Sequence, residues 1–163
     1  MGIYLQDQIE VFDNLKFLAG VRYDAVWQDS TFRPSFFTPD EVSNSQFTDN
    51  FSPRFGIVYQ PIEELSLYGS YSRSFFPNSA TTVSGDIIPP QQGEQFEIGI
   101  RGEFLDGRLI SNLALFNLTR QNLPTTDPDN PQFSIPTGEQ RSRGVELDIA
   151  GEILPGWNMI ASY

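Results

Sequence analysis

The chain has 163 residues, enough for one domain, and a net charge of −11. It contains no histidine and no cysteine. This excludes disulfide frameworks, thiolate zinc sites, cysteine nucleophiles, Ser-His-Asp triads and histidine-ligated metal or haem sites. An enzyme is therefore the least expected class, and we predict no catalytic residue, no metal site and no cofactor.

The first two predicted strands alternate apolar and polar residues. In the first strand the apolar side is Ile3, Leu5, Ile9 and Val11, interrupted by Asp7. The second strand runs from Leu15 to Gln28, and its apolar side is Leu15, Phe17, Ala19, Val21, Tyr23, Ala25 and Trp27. A repeat of two residues excludes a helix. The length of this segment exceeds the ~5–6 residues of a typical strand and fits a tilted crossing of a bilayer.

The same alternation returns along the rest of the chain. The predicted apolar sides of the later strands are Phe51, Phe55, Ile57 and Tyr59; Leu65, Leu67 and Tyr71; Phe96, Ile98, Ile100 and Phe104; Val145, Leu147, Ile149 and Ile153; and Trp157, Met159, Ala161 and Tyr163. In the segment 108–121 two sets of apolar residues compete, so its facing stays open: Leu109, Leu113 and Leu115 against Ile110, Ala114, Phe116 and Leu118. The predicted fold is all-β, an antiparallel up-and-down meander of about eight strands.

Short turns and long loops alternate between the predicted strands. The short turns are Phe12-Asp13-Asn14, Pro61-Ile62-Glu63-Glu64, Leu105-Asp106-Gly107 and Leu154-Pro155-Gly156. The long loops run roughly from Asp29 to Asn50, from Phe76 to Glu94 and from Asn122 to Gln140. In a transmembrane β-barrel the tight turns are periplasmic and the long loops extracellular. Most of the acidic excess lies in the long loops, which argues against nucleic acid and would tolerate cations or cationic metal complexes.

Alternation alone does not separate a membrane barrel from a soluble β-sandwich, because both bury one side of each strand. The polar sides carry both charge signs with small Gly and Ser residues, as a hydrated lumen requires. Aromatic residues also stand near strand ends on the apolar sides, where interfacial girdles form: Trp27, Phe51, Phe75, Phe96, Phe104 and Trp157. Both features favour a membrane barrel. The last strand ends at Tyr163, short of the ~9–11 residues of a crossing, which we interpret as truncation.

Few residues point to a binding site. The pairs Phe36-Phe37 and Phe75-Phe76 could line a ligand vestibule or pack the loops together, and both interpretations stay open. Asp127-Pro128-Asp129-Asn130 lacks the glycine and distal glutamate of a calcium loop, so a solvated loop tip is favoured. Two carboxylate pairs share a strand face: Glu97 with Glu103, and Glu146 with Asp148. Arg101 alternates with the first pair, and Arg54 and Arg22 lie on similar faces, which favours a charge-balanced lumen wall over acid-base chemistry. Ligand-binding residues are therefore not assigned.

Several segments, in this order, resemble TonB-dependent outer-membrane receptors of the siderophore, ferrichrome-iron type. They are LAGVRYD at 18–24, FSPRFGIVYQP at 51–61, LSLYGSYSRSF at 65–75, GEQFEIGIR at 93–101, GR at 107–108, LALFNLTRQN at 113–122, RSRGVELD at 141–148, PGW at 155–157 and ASY at 161–163. Each motif is weak alone. Their order and spacing across most of the chain make the resemblance specific to the family, though not to a substrate.

The resemblance implies a 22-stranded transmembrane barrel closed by a plug, which imports ferric siderophores. Residues 1–163 would then be a partial TonB-dependent receptor β-barrel domain, with the plug and the remaining strands absent. The implied partners are a ferric siderophore, TonB through the missing N-terminal region, and outer-membrane lipid, with no nucleic acid. The implied location is the outer membrane of a Gram-negative cell, with the long loops extracellular. Such a fragment is not expected to transport by itself.

Two alternatives remain from the sequence. One is a self-contained eight-stranded outer-membrane barrel with a structural or adhesive role, in which the first and last strands would pair. The other is a secreted β-sandwich that binds carbohydrate or protein, in which the apolar sides would pack against a second sheet. An open curved sheet would instead favour the receptor fragment.

Overall fold

The structure is a computed structural model that describes residues 1–32 and 41–163. All regular structure in these residues is one antiparallel sheet of eight strands in chain order. The strands are β1 Gly2–Phe12, β2 Leu15–Phe32, β3 Val42–Ile62, β4 Leu65–Phe76, β5 Gln91–Phe104, β6 Leu109–Thr126, β7 Ser134–Leu154 and β8 Trp157–Ser162. In the described residues, no helix has the length and apolar content to cross a membrane. The predicted all-β meander is confirmed.

The sheet is open. β1 and β8 form its two edges, and no ladder joins them within the described ranges. The prediction of a self-contained eight-stranded barrel is therefore wrong for this chain. The β-sandwich is also wrong, because no second sheet is present in the described residues and apolar side chains such as Ile98 and Leu115 remain exposed.

Two hairpins extend well beyond the predicted strand ends. The β2–β3 ladder continues to the pair Thr31 and Ser43, and the β6–β7 ladder continues to Thr126 and Ser134. The predicted long loops were therefore too long at both hairpins. The hydrogen bonds of a ladder join main-chain groups, so a strand can pair without an apolar face. Where Ser, Thr, Asn and Gln occupy both faces of a strand, the sequence shows no alternation of apolar and polar residues, and the strand is missed. The predicted short turns are confirmed at all four positions.

The pairing register determines which side chains share a face. We call the apolar face the one that carries Phe17, Ile57, Leu67 and Ile98, and the polar face the opposite one. Leu113 pairs with Ile100 and Leu147 on the apolar face. The competing residues of β6 therefore lie on the polar face: Ile110, Ala114, Phe116 and Leu118. The facing that the sequence left open is settled by the neighbouring strands.

The apolar face is bounded by aromatic residues. It extends for nine residues on β2, from Leu15 to Tyr23, and for nine on β5, from Phe96 to Phe104. This matches the ~9–11 residues of a tilted membrane-spanning strand. We call these two stretches, with the apolar-face residues that pair with them across the sheet, the apolar belt.

Carboxylates mark the loop-side end of the apolar belt. Tyr23 donates a hydrogen bond to Asp49 over 3.2 Å, and Tyr71 donates to Glu94 over 2.8 Å. The rings of Tyr23 and Tyr71 pack at this level on Phe51 and Phe96, with centroids 4.8 and 4.7 Å apart. Two predicted girdle residues, Trp27 and Phe75, instead lie beyond the carboxylates, because the strands continue past the belt.

Gly151 in β7 is required by its backbone conformation and by a close neighbour. Its φ is 149°, and an added Cβ would lie 2.0 Å from the carbonyl oxygen of Arg108. We expect Gly151→Ala to lower the free energy of unfolding by about 1–3 kcal/mol. Urea titration of the detergent-refolded protein measures this change.

Gly138 is a matched control in the same strand, because an added Cβ there would have no neighbour within 4 Å. Gly138→Ala should change the stability by less than about 0.5 kcal/mol. If Gly151→Ala and Gly138→Ala lose the same free energy of unfolding, the backbone around Gly151 can shift to accept a Cβ with little loss of stability.

Candidate functional site

The polar face carries charged side chains of both signs. Three exposed ion pairs lie on it: Lys16 with Glu10 at 2.9 Å, Arg22 with Asp24 at 2.7 Å, and Arg101 with Glu103 at 3.1 Å. Exposed pairs of this kind contribute little to stability. They compensate part of the charge of this face, whereas Arg54 and Arg120 have no carboxylate partner among the described residues.

The carboxylates singled out in the sequence do not form acid-base pairs. Glu97 accepts hydrogen bonds from Tyr68 over 2.9 Å and from Gln95 over 3.1 Å, whereas Glu103 is bound by Arg101. Asp148 accepts from Ser162 on the edge strand over 2.7 Å. Glu97, Glu103 and Asp148 are thus each held by a partner of their own, whereas the Glu146 side chain makes no hydrogen bond or ion pair with the described residues. No two of these carboxylates contact each other, so the wall interpretation fits better than shared proton transfer.

The connection between β4 and β5, residues 77–90, folds around Asn78. The Asn78 side chain donates to the carbonyl oxygens of Pro89 at 2.6 Å and of Asn122 at 3.0 Å, and it accepts from Gln91 at 3.0 Å. The Asn78 carbonyl oxygen accepts from the Gln28 side chain at 2.7 Å. Asn78 is only 3% exposed. A single buried amide thus joins the loop to β2, β5 and β6.

Further contacts fix the rest of this loop, which we call the rim loop. Thr81 pairs with Ile87 in a short bridge, and the Ser134 amide of β7 donates to the Thr81 carbonyl over 2.9 Å. Asn44 of β3 donates to the Gly85 carbonyl. Ile88 is 1% exposed, the most completely buried large side chain among the described residues. The rim loop is therefore a folded structure attached to strands on both sides of β4 and β5.

A cavity of about 470 Å³ lies at the loop end of β4, β5 and β6, lined in part by Ser74, Phe76, Gln91 and Arg120. We call it the rim cavity. Arg120 donates to the Gln91 side chain over 3.0 Å, and no carboxylate pairs with it in the described part of the chain. The Phe76 side chain is 67% exposed. The cavity therefore offers a cation, an aromatic ring and amide groups, a combination that suits a ligand rather than a core.

The structure separates the two members of the Phe75-Phe76 pair. Phe76 pairs with Gln91 on the polar face, whereas Phe75 pairs with Gln92 on the face that continues the apolar belt. Both residues nevertheless line the rim cavity, so both can serve the vestibule predicted from the sequence. The other predicted pair, Phe36-Phe37, lies outside the described residues.

The acidic residues of the predicted long loops do not surround the rim cavity. Asp49, Glu94 and Glu139 are strand residues on the side that continues the apolar belt, facing away from the polar face. The predicted preference for cationic complexes is therefore not supported at the rim cavity, where the charged group is Arg120. The sequence does contain the signal for this facing. Asp49 and Phe51 are two residues apart in β3, and side chains two apart in a strand lie on the same face of the sheet.

Oxygen ligands for a metal ion are not gathered at any one place. Within residues 1–32 and 41–163, no group of three or more acidic residues could hold a metal ion. Asp127 Oδ1 accepts from the backbone amides of Asp129 at 2.9 Å and Asn130 at 3.3 Å. This carboxylate therefore closes a turn, in agreement with the loop-tip interpretation.

Comparison with known families identifies the barrel type. The profile of the family described as "TonB dependent receptor-like, beta-barrel" matches residues 1–163. The chain belongs to this family. Among the relatives of this TonB-dependent receptor barrel is the metal-pseudopaline receptor CntO of Pseudomonas aeruginosa, which is 37% identical over 100% of this chain and 23% of its own length. The ferrichrome outer membrane transporter/phage receptor of Escherichia coli is 35% identical over 99% of this chain and 21% of its own.

Solved structures agree with this membership. The siderophore receptor PiuA from Acinetobacter baumannii superposes with a TM-score of 0.82 at 27% identity, over 99% of this chain and 24% of that chain. These relatives are named as receptors and transporters rather than enzymes. The chain thus spans about a fifth to a quarter of the length of the relatives that it matches.

Proposed function

We propose that the chain forms a wall segment of an outer-membrane TonB-dependent receptor that imports ferric siderophores. The observation that carries this proposal is the two-faced open sheet, with an apolar belt of membrane-spanning length and a polar face with charges of both signs. In lipid the free edges of β1 and β8 would need neighbouring strands, since unpaired main-chain groups are costly there. Residues 1–163 would therefore be part of a larger barrel domain, completed by further strands and a plug.

The orientation follows from the loops. We propose that the tight turns face the periplasm and that the rim loop and the long β2–β3 and β6–β7 hairpins project outside the cell. The wall has no catalytic role in this proposal. Energy would reach the receptor from TonB through a region outside residues 1–163, so the segment alone would not transport.

The direct test is uptake of iron chelates by iron-limited cells. Cells that express the receptor containing this chain should take up at least one ⁵⁵Fe-labelled chelate from a panel of ferrichrome, pyoverdine and pseudopaline, and deletion of the gene should abolish that uptake. The panel is chosen from the names of the relatives. Uptake that is unchanged by deletion for every chelate would count against the proposal, as would growth on these iron sources that does not depend on TonB.

The rim cavity is the proposed contact for the chelate within this segment. Phe76 and Arg120 line it from β4 and β6, and the folded rim loop lies next to it. Phe76→Ala should raise the Kd of the transported chelate about ten-fold, equivalent to about 1.4 kcal/mol, because a large exposed ring contact is lost. Binding to the purified receptor, followed by tryptophan fluorescence, measures the change.

Phe55→Ala is the matched control for Phe76→Ala. Phe55 is also an exposed phenylalanine, but it lies on the apolar face of β3 and does not line the rim cavity. Phe55→Ala should leave the Kd within about two-fold of the wild-type value, since a difference this small is within the scatter of neutral contacts. A larger effect of Phe55→Ala than of Phe76→Ala would mean that the ligand does not contact the rim cavity.

A further inference from the structure

We propose that Arg54 forms a binding site for a carboxylate group on the polar face, in the part of the sheet formed by β1 to β4. Arg54 lies in β3 opposite Gly20 of β2 and Ser72 of β4. It lines a cavity of about 400 Å³ together with Tyr4, Arg22, Ser52 and Ser72. This site lies on the wall, separate from the rim cavity.

Arg54 is an uncompensated cation. Lys16, Arg22 and Arg101 on the same face each have a carboxylate partner. The Arg54 side chain makes no ion pair and no hydrogen bond with any residue in the ranges 1–32 and 41–163. Like Arg120 on the same face, Arg54 therefore carries a charge that an external anion can neutralise.

Asp24, an acidic residue on the same face, is already engaged. Arg22 binds Asp24 with two hydrogen bonds, Nε to Oδ2 at 2.7 Å and Nη2 to Oδ1 at 2.8 Å. This pair lies across Gly2, where an added Cβ would meet Asp24 Oδ1 at 2.5 Å and Arg22 Nη2 at 2.6 Å. Because both carboxylate oxygens of Asp24 are occupied by Arg22, Asp24 does not neutralise Arg54.

Gly20 makes room for the Arg54 side chain. An added Cβ at Gly20 would lie 3.2 Å from Arg54 Cγ and 3.3 Å from the Leu5 carbonyl oxygen. The aliphatic stem of Arg54 therefore lies against the backbone of β2. Because the stem is held in this way, the guanidinium group stays free to bind, and the Arg54 side chain loses less conformational entropy when it does so.

The remaining groups of the cavity suit an oxyanion. Ser52, Ser72 and Tyr4 contribute hydroxyl groups, which can donate to a carboxylate that Arg54 holds. The Ser52 oxygen already accepts from Asn50 over 3.0 Å, so its proton is available for donation. A planar guanidinium with hydroxyl donors beside it matches the two oxygens of a carboxylate. The carboxylate could come from a polypeptide segment inside the lumen or from a free organic acid.

The first test uses the 163-residue chain in detergent with acetate as the probe and acetamide as the uncharged control. Acetate should shift the Nε–Hε NMR resonance of Arg54 in a saturable manner, and acetamide should not. The Arg101 resonance should not respond, because Glu103 already occupies that guanidinium. An Arg54 resonance that responds no more than that of Arg101 would overturn the proposal.

The second test uses the complete receptor and distinguishes the two sources of carboxylate. If a polypeptide carboxylate occupies the site, Arg54→Gln should lower the Tm by at least ~2 °C, Arg101→Gln should not, and acetate should have no Arg54-dependent effect. If the ligand is a free organic acid, acetate should raise the Tm of the wild type but not of Arg54→Gln. Identical Tm values for all these variants, with and without acetate, would also overturn the proposal. Neither test depends on siderophore uptake, so this inference and the proposed function can fail separately.

Discussion

Ile98→Arg is expected to destabilise the membrane-inserted receptor by about 1–3 kcal/mol, because the cost of an arginine on a lipid-facing strand falls from about 2–4 kcal/mol at the middle of the membrane to about 0–1 kcal/mol near its edges. Ile98 lies on the apolar face of β5, 60% exposed, between Gly69 and Leu115. These neighbours offer no counter-charge. Urea titration of the receptor refolded into phospholipid vesicles measures the loss.

Ser70→Arg is the matched control for Ile98→Arg. Ser70 is exposed on the polar face and pairs with Glu97, one residue away from the Gly69–Ile98 pair in the same ladder. The same arginine there would face water and a carboxylate, so the stability should change by less than about 1 kcal/mol. Equal costs at the two positions would show that the apolar face is not in lipid, and the membrane assignment would fail.

The alternation of the sequence was enough to predict most of the sheet. In β2 the odd-numbered apolar residues from Leu15 to Tyr23 identify the strand, its facing and its length. β6 could not be assigned in the same way, since Ala114 and Phe116 make its polar face apolar as well. Ala114 is 3% exposed, and the Phe116 ring would lie 3.2 Å from a Cβ at Gly144 on the neighbouring strand. The facing of β6 depends on pairing with β5 and β7, which is not encoded in β6 alone.

The number of acidic residues near the loops could be read from the sequence, but the face of the sheet on which each of them lies was not predicted. Asp49 and Glu139 fall within stretches of polar residues, so they were attributed to loops. Main-chain pairing instead extends β3 and β7 through these positions and turns both carboxylates away from the rim cavity. A count of acidic residues thus did not reveal the charge that lines the rim cavity, because facing rather than composition determines what a ligand meets there.

The rim loop could not have been predicted, because its contacts join distant parts of the chain. Asn78 bonds to Gln28, which is 50 residues away, and to Asn122, which is 44 residues away. Nothing in the local sequence around Asn78 distinguishes a buried amide from an exposed loop asparagine. The hydrogen-bond requirements of the main chain explain the outcome, since a folded loop must provide partners for its buried carbonyl groups.

Asn78→Ala should release the rim loop. The change removes three side-chain hydrogen bonds and leaves the carbonyl oxygens of Pro89 and Asn122 without this donor. At roughly 0.5–1.5 kcal/mol for each bond, the local stability should fall by about 2 kcal/mol or more, or about 30-fold in the opening equilibrium. Hydrogen exchange of the Ile88 and Ser134 amides reports this directly, because both are bonded to rim-loop carbonyl groups.

Ser79→Ala is the control for Asn78→Ala, since Ser79 is exposed and adjacent in the rim loop. In the Ser79→Ala variant, the Ile88 and Ser134 amides should exchange their hydrogens as slowly as in the wild type. If Asn78→Ala also leaves the protection unchanged, the rim loop is held by its backbone contacts alone. If the protection falls as expected, chelate binding measured on the same variant separates two uses of the loop. A binding loss would mean that the loop must be rigid to form the rim cavity, because a released loop no longer supports Gln91, which is bonded to both Asn78 and Arg120.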